Sequence, residues 1–256
     1  MVLPKDLAAT EQSPLIFLWH WLGGDAQDFL QKGEIQAAVD SQRFIAVMPE
    51  KKGDLLFVWP VEIIQSQARV DEELKFFDDM LACVSAQMGI DKNCVSSGGV
   101  SAGALWTDQL AAYRSEYLAS FVSLSGGVGG VIRAWGNPQR KLPGMVLWGG
   151  PTDTCGGLLS SNTLSANLEK ELEAGDHFFL ECVHNCGHSE PPMVGAAGFS
   201  KYQALWQFAT DHPFWLPKGE SPYLKHGVPK AMPEWCGIGK GSATPKTGAC
   251  TDPSQC

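Results

Sequence analysis

Apolar and polar positions come in blocks along this chain: short runs of consecutive apolar residues, each followed by a stretch whose apolar positions recur every three or four residues. The first kind reads as strands buried on both faces, the second as helices with one face inward. Residues 15–19 predict a strand, 26–40 a helix and 43–48 a second strand. Residues 71–88 predict an amphipathic helix, with Leu74, Phe77, Leu81 and Val84 on one face and acids in its first turn, where the helix dipole favours them. Strands at 94–97, 119–124, 144–148 and 177–183 then alternate with helices at 102–114, 160–173 and 200–209. Such alternation predicts a mostly parallel central sheet flanked by helices on both faces.

The pattern stops at Asp211, where Pro213, Pro217, Pro222, Pro229, Pro233 and several glycines break any period. The expected organisation is therefore one α/β domain over 1–210, with an irregular Cys- and Pro-rich extension over 211–256 lying on it. A chain of 256 residues is long enough to build that core without metal or cofactor.

Charge and cysteine count narrow the setting. The formal net charge is −9, and Lys and Arg are scattered rather than clustered, which argues against nucleic acid as a partner. No apolar run approaches the length needed to cross a bilayer, and no secretory signal peptide begins at Met1. Eight cysteines nevertheless favour an oxidising compartment, so a mature secreted or periplasmic form is expected, acting as a monomer. Cys83 and Cys94, at the end of a helix and the start of the next strand, are candidates for one disulfide; the pairing of Cys155, Cys182, Cys186, Cys236, Cys250 and Cys256 stays open. Cys182-x3-Cys186 with His184 and His188 nearby admits a metal site, but no metal is expected.

Gly99-Val100-Ser101-Ala102-Gly103 is a G-x-S-x-G pattern, and it falls between a predicted strand and a predicted helix. There a serine stands on a sharp turn clear of the sheet, with the helix N-terminus aimed at any oxyanion formed by its attack. The α/β-hydrolase fold places its acid and base after later strands, in the chain order Ser, acid, His. Strand 144–148 runs into Gly149-Gly150-Pro151-Thr152-Asp153, and strand 177–183 into Asn185-Cys186-Gly187-His188. Asp153 is thus the candidate orienting acid and His188 the candidate base, with His184 the rival to His188. The competing reading of Asp153 is a turn former or a helix cap, and His177, at a strand start, reads as a structural residue.

The first strand ends in His20-Trp21-Leu22-Gly23-Gly24, where one backbone N–H of an oxyanion hole is expected. Leu22 and Ala102 are the candidate donors, with Trp21 the alternative; His20 reads as a structural residue fixing this loop. Nine tryptophans are many for one chain, and Trp21, Trp59 and Trp106 are candidates for contact with a bulky substrate.

Residues 91–103, the Gly150-Pro151-Thr152-Asp153 turn and the Gly187-His188 loop together resemble the secreted esterases grouped with polyhydroxybutyrate depolymerases, feruloyl esterases and acetylxylan esterases, over roughly residues 14–210. The resemblance implies hydrolysis of carboxylic esters, often polymeric or from plant cell walls, without metal or cofactor. It carries the nucleophile to Ser101, the acid to Asp153, the base to His188 and the oxyanion loop to His20 through Leu22. Trp21 departs from the family's usual glycine, and Ala104 follows Gly103 where a further glycine is common, which bears on substrate preference more than on reaction type. The rival readings are a serine peptidase or acyltransferase, and a polymer- or glycan-binding module without activity.

Overall fold

The computed structural model describes residues 1–157, 159–216 and 220–250. In chain order the strands are β1 (Ser13–Trp19), β2 (Ile45–Val47), β3 (Ile90–Val100), β4 (Ser120–Leu124), β5 (Gly144–Trp148), β6 (Thr154–Cys155), β7 (Leu159–Ser160), β8 (Phe179–Val183) and β9 (Cys236–Ile238). The helices are α1 (Ala26–Lys32), α2 (Ile35–Gln42), α3 (Gln67–Gln87), α4 (Ala102–Tyr113), α5 (Ser161–Ala174), α6 (Gln203–Asp211) and α7 (Pro222–His226).

Among the described residues, seven strands form one sheet in the order β2-β1-β3-β4-β5-β8-β9. The pairings from β2 to β8 are parallel, and β9 lies antiparallel on β8. Both faces of the sheet are covered, which is why its strands read as continuous apolar runs. Alternate residues of β1 serve opposite layers. Leu15, Phe17 and Trp19 pack with residues of α3, α4 and α5, while Ile16 and Leu18 pack with residues of α1, α2 and α6.

Predicted helix 26–40 is two helices in the structure. Gly33 ends the first, and Glu34, at φ 50°, turns the chain into the second, so the apolar stripe is kept while the axis breaks. The helix predicted over 71–88 starts earlier, at Gln67, because the Ser66 side chain accepts the Arg69 N–H as an N-cap. α4 is buried on nearly every side, which its run of Ala, Gly and Leu permits.

Two expectations are corrected. Cys83 and Cys94 are free thiols: Cys83 is exposed on α3, while β3 begins at Ile90, so Cys94 lies buried inside the strand rather than at its start. The extension beyond Asp211 is also more regular than its composition implied. It forms α7 and contributes β9 to the sheet edge, held there by the Cys182–Cys236 disulfide. A second disulfide joins Cys186 to Cys250, Cys155 is disulfide-bonded as well, and Cys256 lies outside the described residues. Their sulfurs being oxidised, Cys182 and Cys186 hold no metal with His184 and His188; among the described residues no group of three or more His, Cys, Asp or Glu side chains is placed to do so. No helix among them is long and apolar enough to cross a membrane.

Candidate active site

Ser101 stands between β3 and α4 with φ 55° and ψ −118°, a strained conformation for a residue with a side chain. Two glycines make the turn possible by close approach. A Cβ on Gly99 would lie 2.1 Å from the Gly103 carbonyl oxygen, and one on Gly103 would lie 1.9 Å from that of Trp19. The Ser101 N–H donates to the Leu124 carbonyl at 2.8 Å, tying the turn to the end of β4.

Asp153 follows a single 3-10 turn, Gly150–Thr152, directly after β5. His188 lies in the loop after β8. The two loops meet glycine to glycine: the Gly187 N–H donates to the Gly149 carbonyl at 3.2 Å, and a Cβ on Gly149 would lie 1.9 Å from the Gly187 oxygen. Gly187 itself has φ 64°, which a side chain would resist.

The outcome is a continuous chain of hydrogen bonds. His188 Nε2 lies 2.8 Å from Ser101 Oγ, and His188 Nδ1 lies 2.6 Å from Asp153 Oδ1. A carboxylate accepts only, so Nδ1 carries the proton and Nε2 is left to accept that of the serine hydroxyl. Asp153 is fully buried, and its second oxygen accepts from the Gly149 N–H at 2.8 Å and from Ser125 Oγ at 2.7 Å. Burial pushes the carboxyl's pKa up, but the hydrogen bonds from His188, Gly149 and Ser125 outweigh it, and the net shift is downward, toward the anion.

The rival histidines lie elsewhere. His184 is buried against Trp235 and accepts the Cys186 N–H; burial lowers its pKa to about 4. His177 lies against the Leu142 backbone. His20 is wholly buried below the loop after β1, where its Nδ1 lies 3.0 Å from the Trp21 carbonyl and so donates to it. The Gly24 N–H reaches the same oxygen at 3.1 Å. In a planar trans peptide C=O and N–H point oppositely, so holding the Trp21 carbonyl toward His20 and Gly24 turns the Leu22 N–H the other way. Leu22 and Ala102 both line the cavity beside Ser101, and Ala102, first in α4, has no intrahelical acceptor for its N–H.

That cavity has a volume of about 300 Å³ and is walled mainly by apolar side chains. Trp21, a candidate for substrate contact, is on its wall. Trp59 and Trp106 are not: both are fully buried and pack edge-on against Trp19. Trp59 acts one layer back, its indole N–H donating at 3.0 Å to the His20 carbonyl. The aromatic wall comes instead from Phe29, Phe57, Tyr202 and Trp206, which the sequence reading missed. For Tyr202 and Trp206 the reason is physical: a helix face turned toward a cavity has the same three-four spacing as one turned toward a core.

The sheet of parallel strands covered on both faces, with a serine at the tight turn after a central strand and a histidine and buried aspartate at later strand ends, decides the architecture. The chain has the α/β-hydrolase fold. Solved structures agree. The chain superposes on sOPH with a TM-score of 0.69 at 17% identity, covering 94% of this chain and 91% of that one. Native pOPH gives 0.66 at 15% identity over 93% and 88% of the two chains. A phospholipase/carboxylesterase from Dyadobacter fermentans gives 0.56 at 17% identity over 78% and 93%. In sequence, the chain is 30% identical over 126 residues to feruloyl esterase D of Neurospora crassa, a stretch that spans 48% of this chain and 43% of that protein, less than half of the relative. No family model matches the chain.

Proposed function

We propose that this α/β-hydrolase is a serine carboxylic-ester hydrolase that works through an acyl-enzyme on bulky, aromatic or polymeric esters. The observation that carries the proposal is the unbroken Ser101–His188–Asp153 hydrogen-bond chain, with steps of 2.8 and 2.6 Å, opening onto an apolar cavity. Ser101 Oγ attacks the ester carbonyl as its proton passes to His188 Nε2, and the resulting imidazolium is stabilised by the Asp153 anion. The tetrahedral oxyanion is held by the N–H groups of Leu22 and Ala102, the orientation of the Trp21–Leu22 peptide favouring Leu22 over Trp21 as donor. His188 then protonates the departing alcohol; in the second half a water, giving its proton to His188, attacks the acyl carbon, the Ser101 Oγ–acyl bond breaks, and His188 returns the proton to Ser101 Oγ as the acid leaves. Every one of these groups comes from one chain, so the proposed functional unit is the monomer.

The aromatic lining and the partial match to a feruloyl esterase support an aromatic acyl group over a short aliphatic one. The disulfides support a secreted or periplasmic setting. A binding module without activity has no need of a strained nucleophile turn and a buried aspartate aligned on an imidazole. The test is Ser101→Ala. It should lower hydrolysis of a p-nitrophenyl acyl ester about a thousandfold or more and abolish labelling by a fluorophosphonate. Hydrolysis at near the parent rate would overturn the proposal, and matched ester and amide substrates separate an esterase from a peptidase.

A further inference from the structure

We infer that Ser125 is a positioning residue that locks the acid of the site to the end of β4, whose Leu124 carbonyl holds the Ser101 peptide. The inference rests on the ester-hydrolase reading above. Asp153 has two carboxylate oxygens to fix. Oδ1 meets His188, and Oδ2 meets the Gly149 N–H, but Gly149 belongs to the same turn as Asp153 and moves with it. The bond from Ser125 Oγ to Oδ2, at 2.7 Å, comes from a different strand end and so restrains the carboxylate from outside its own loop.

The dipeptide Leu124-Ser125 bridges the two halves of the site. The Leu124 carbonyl accepts the N–H of Ser101 at 2.8 Å, while the Ser125 N–H donates to the Leu147 carbonyl of β5 at 2.7 Å. The hydroxyl of Ser125 thereby sets the acid relative to the very peptide that holds the nucleophile.

The neighbourhood is built around this serine. Ser125 has φ 55°, a left-handed conformation that glycine would adopt without strain, yet the position carries a hydroxyl, buried and aimed at Asp153. Its carbonyl accepts from Ser161 Oγ at 3.1 Å, and the Ser161 N–H in turn donates to the Asp153 carbonyl at 2.9 Å. On α4, buried Asp108 takes the Ser123 hydroxyl at 3.0 Å and the Gly127 N–H at 2.7 Å, pinning the turn on both sides of Ser125. The titratable groups bearing on this node are Asp153, His188, Asp108 and, at longer range, His184.

Two variants test the inference. Ser125→Ala removes the hydroxyl and keeps the backbone strain, whereas Ser125→Gly removes both. Each should lower kcat on a p-nitrophenyl ester about tenfold, with KM little changed, as expected for losing one hydrogen bond to an ion. Losing a donor to the Asp153 anion raises the proton affinity of the coupled Asp–His pair, so the acid limb of the kcat/KM profile moves to higher pH in both. Ser125→Gly should melt higher than Ser125→Ala, since it relieves the left-handed backbone. In an Asp153→Asn background the Ser125→Ala effect should largely vanish, because the two act as a unit.

Parent-like kcat and pH profile in either variant would overturn the inference, as would loss in Ser125→Ala that Ser125→Gly restores, which would assign the effect to backbone strain. Ser101→Ala run alongside separates the two levels. Activity surviving there brings down the functional reading and this inference together; activity lost there but kept in both Ser125 variants brings down the inference alone.

Discussion

Replacing Cys186 and Cys250 together by alanine should cost the fold roughly 3 kcal/mol, a figure that follows from where the bridges lie. The two partners are 64 positions apart, and the Cys182–Cys236 pair is 54 apart, each worth about 4 kcal/mol of loop-closure entropy if it were alone. The loops overlap, however. With Cys182–Cys236 closed, the route from Cys186 back to Cys182, across that bridge and on from Cys236 to Cys250 spans only roughly 20 residues, and closing it gives roughly 3 kcal/mol. In a protein of this length the loss corresponds to a melting temperature about 6–12 °C lower.

The assay is urea unfolding followed by tryptophan fluorescence, comparing the double variant with the parent under non-reducing conditions and reading the midpoint at matched slopes. Activity should suffer less than stability. His188, two residues on from Cys186, remains held by the Gly187 N–H on the Gly149 carbonyl, and the tail remains attached through the Lys246 N–H on the Val183 carbonyl. A destabilisation below about 1 kcal/mol would refute the reasoning, for it would mean that the unfolded tail is already confined without the bridge.

Asp153→Asn keeps the shape of the site but puts an amide where His188 Nδ1 now finds a carboxylate, favouring the wrong tautomer; kcat on an activated ester should fall about ten-thousandfold while circular dichroism stays parent-like, and a fall below tenfold would argue against Asp153 as the orienting acid. Glu169→Gln tests a buried carboxyl away from the site. Glu169 on α5 is nearly wholly buried beside Glu181, which clamps the tail by accepting the Gly241 and Ala243 N–H groups at 2.9 and 2.7 Å. Burial and the Glu181 charge push the Glu169 carboxyl up to about 8, with Lys240 opposing and Glu173 adding. A group whose folded pKa lies above its unfolded value stabilises the fold fully only below the unfolded value, so the parent loses this contribution as pH climbs from about 4.5 to 8. Glu169→Gln should therefore gain on the parent in urea midpoint across that window, by about 1 kcal/mol or more at its top, and a pH-independent difference would rule this out.

The order of elements, the turn at Ser101 and the placement of Asp153 and His188 at later strand ends were legible because each rests on local rules. Residues 144–148 form a strand wherever they are buried on both faces, Gly99 and Gly103 are needed where backbones touch, and chain order alone puts Asp153 before His188. Other features were not local. The break at Gly33 and Glu34 leaves the apolar spacing intact, so periodicity ran straight through it. Trp106 and Trp206 carry the same side chain on helices of similar pattern, and only the packing of layers sends one into the core and the other to the cavity wall. Cys83 and Cys94 looked well placed in one dimension, yet β3 starting at Ile90 buries one while α3 exposes the other. Ser125 had no signature at all, since a lone serine after a strand acquires meaning only when an aspartate from another strand end arrives within 2.7 Å.

By itself, then, the sequence determined the layered architecture and the places of the three side chains of the proposed site, because hydrophobic periodicity and close-packed glycines are properties of short segments. The lining of the cavity, the pairing of the cysteines and the meeting of the Ser125 hydroxyl with Asp153 were decided only by tertiary structure. Each depends on the distance between residues far apart in the chain, and that distance is set by how the sheet's layers and loops pack together.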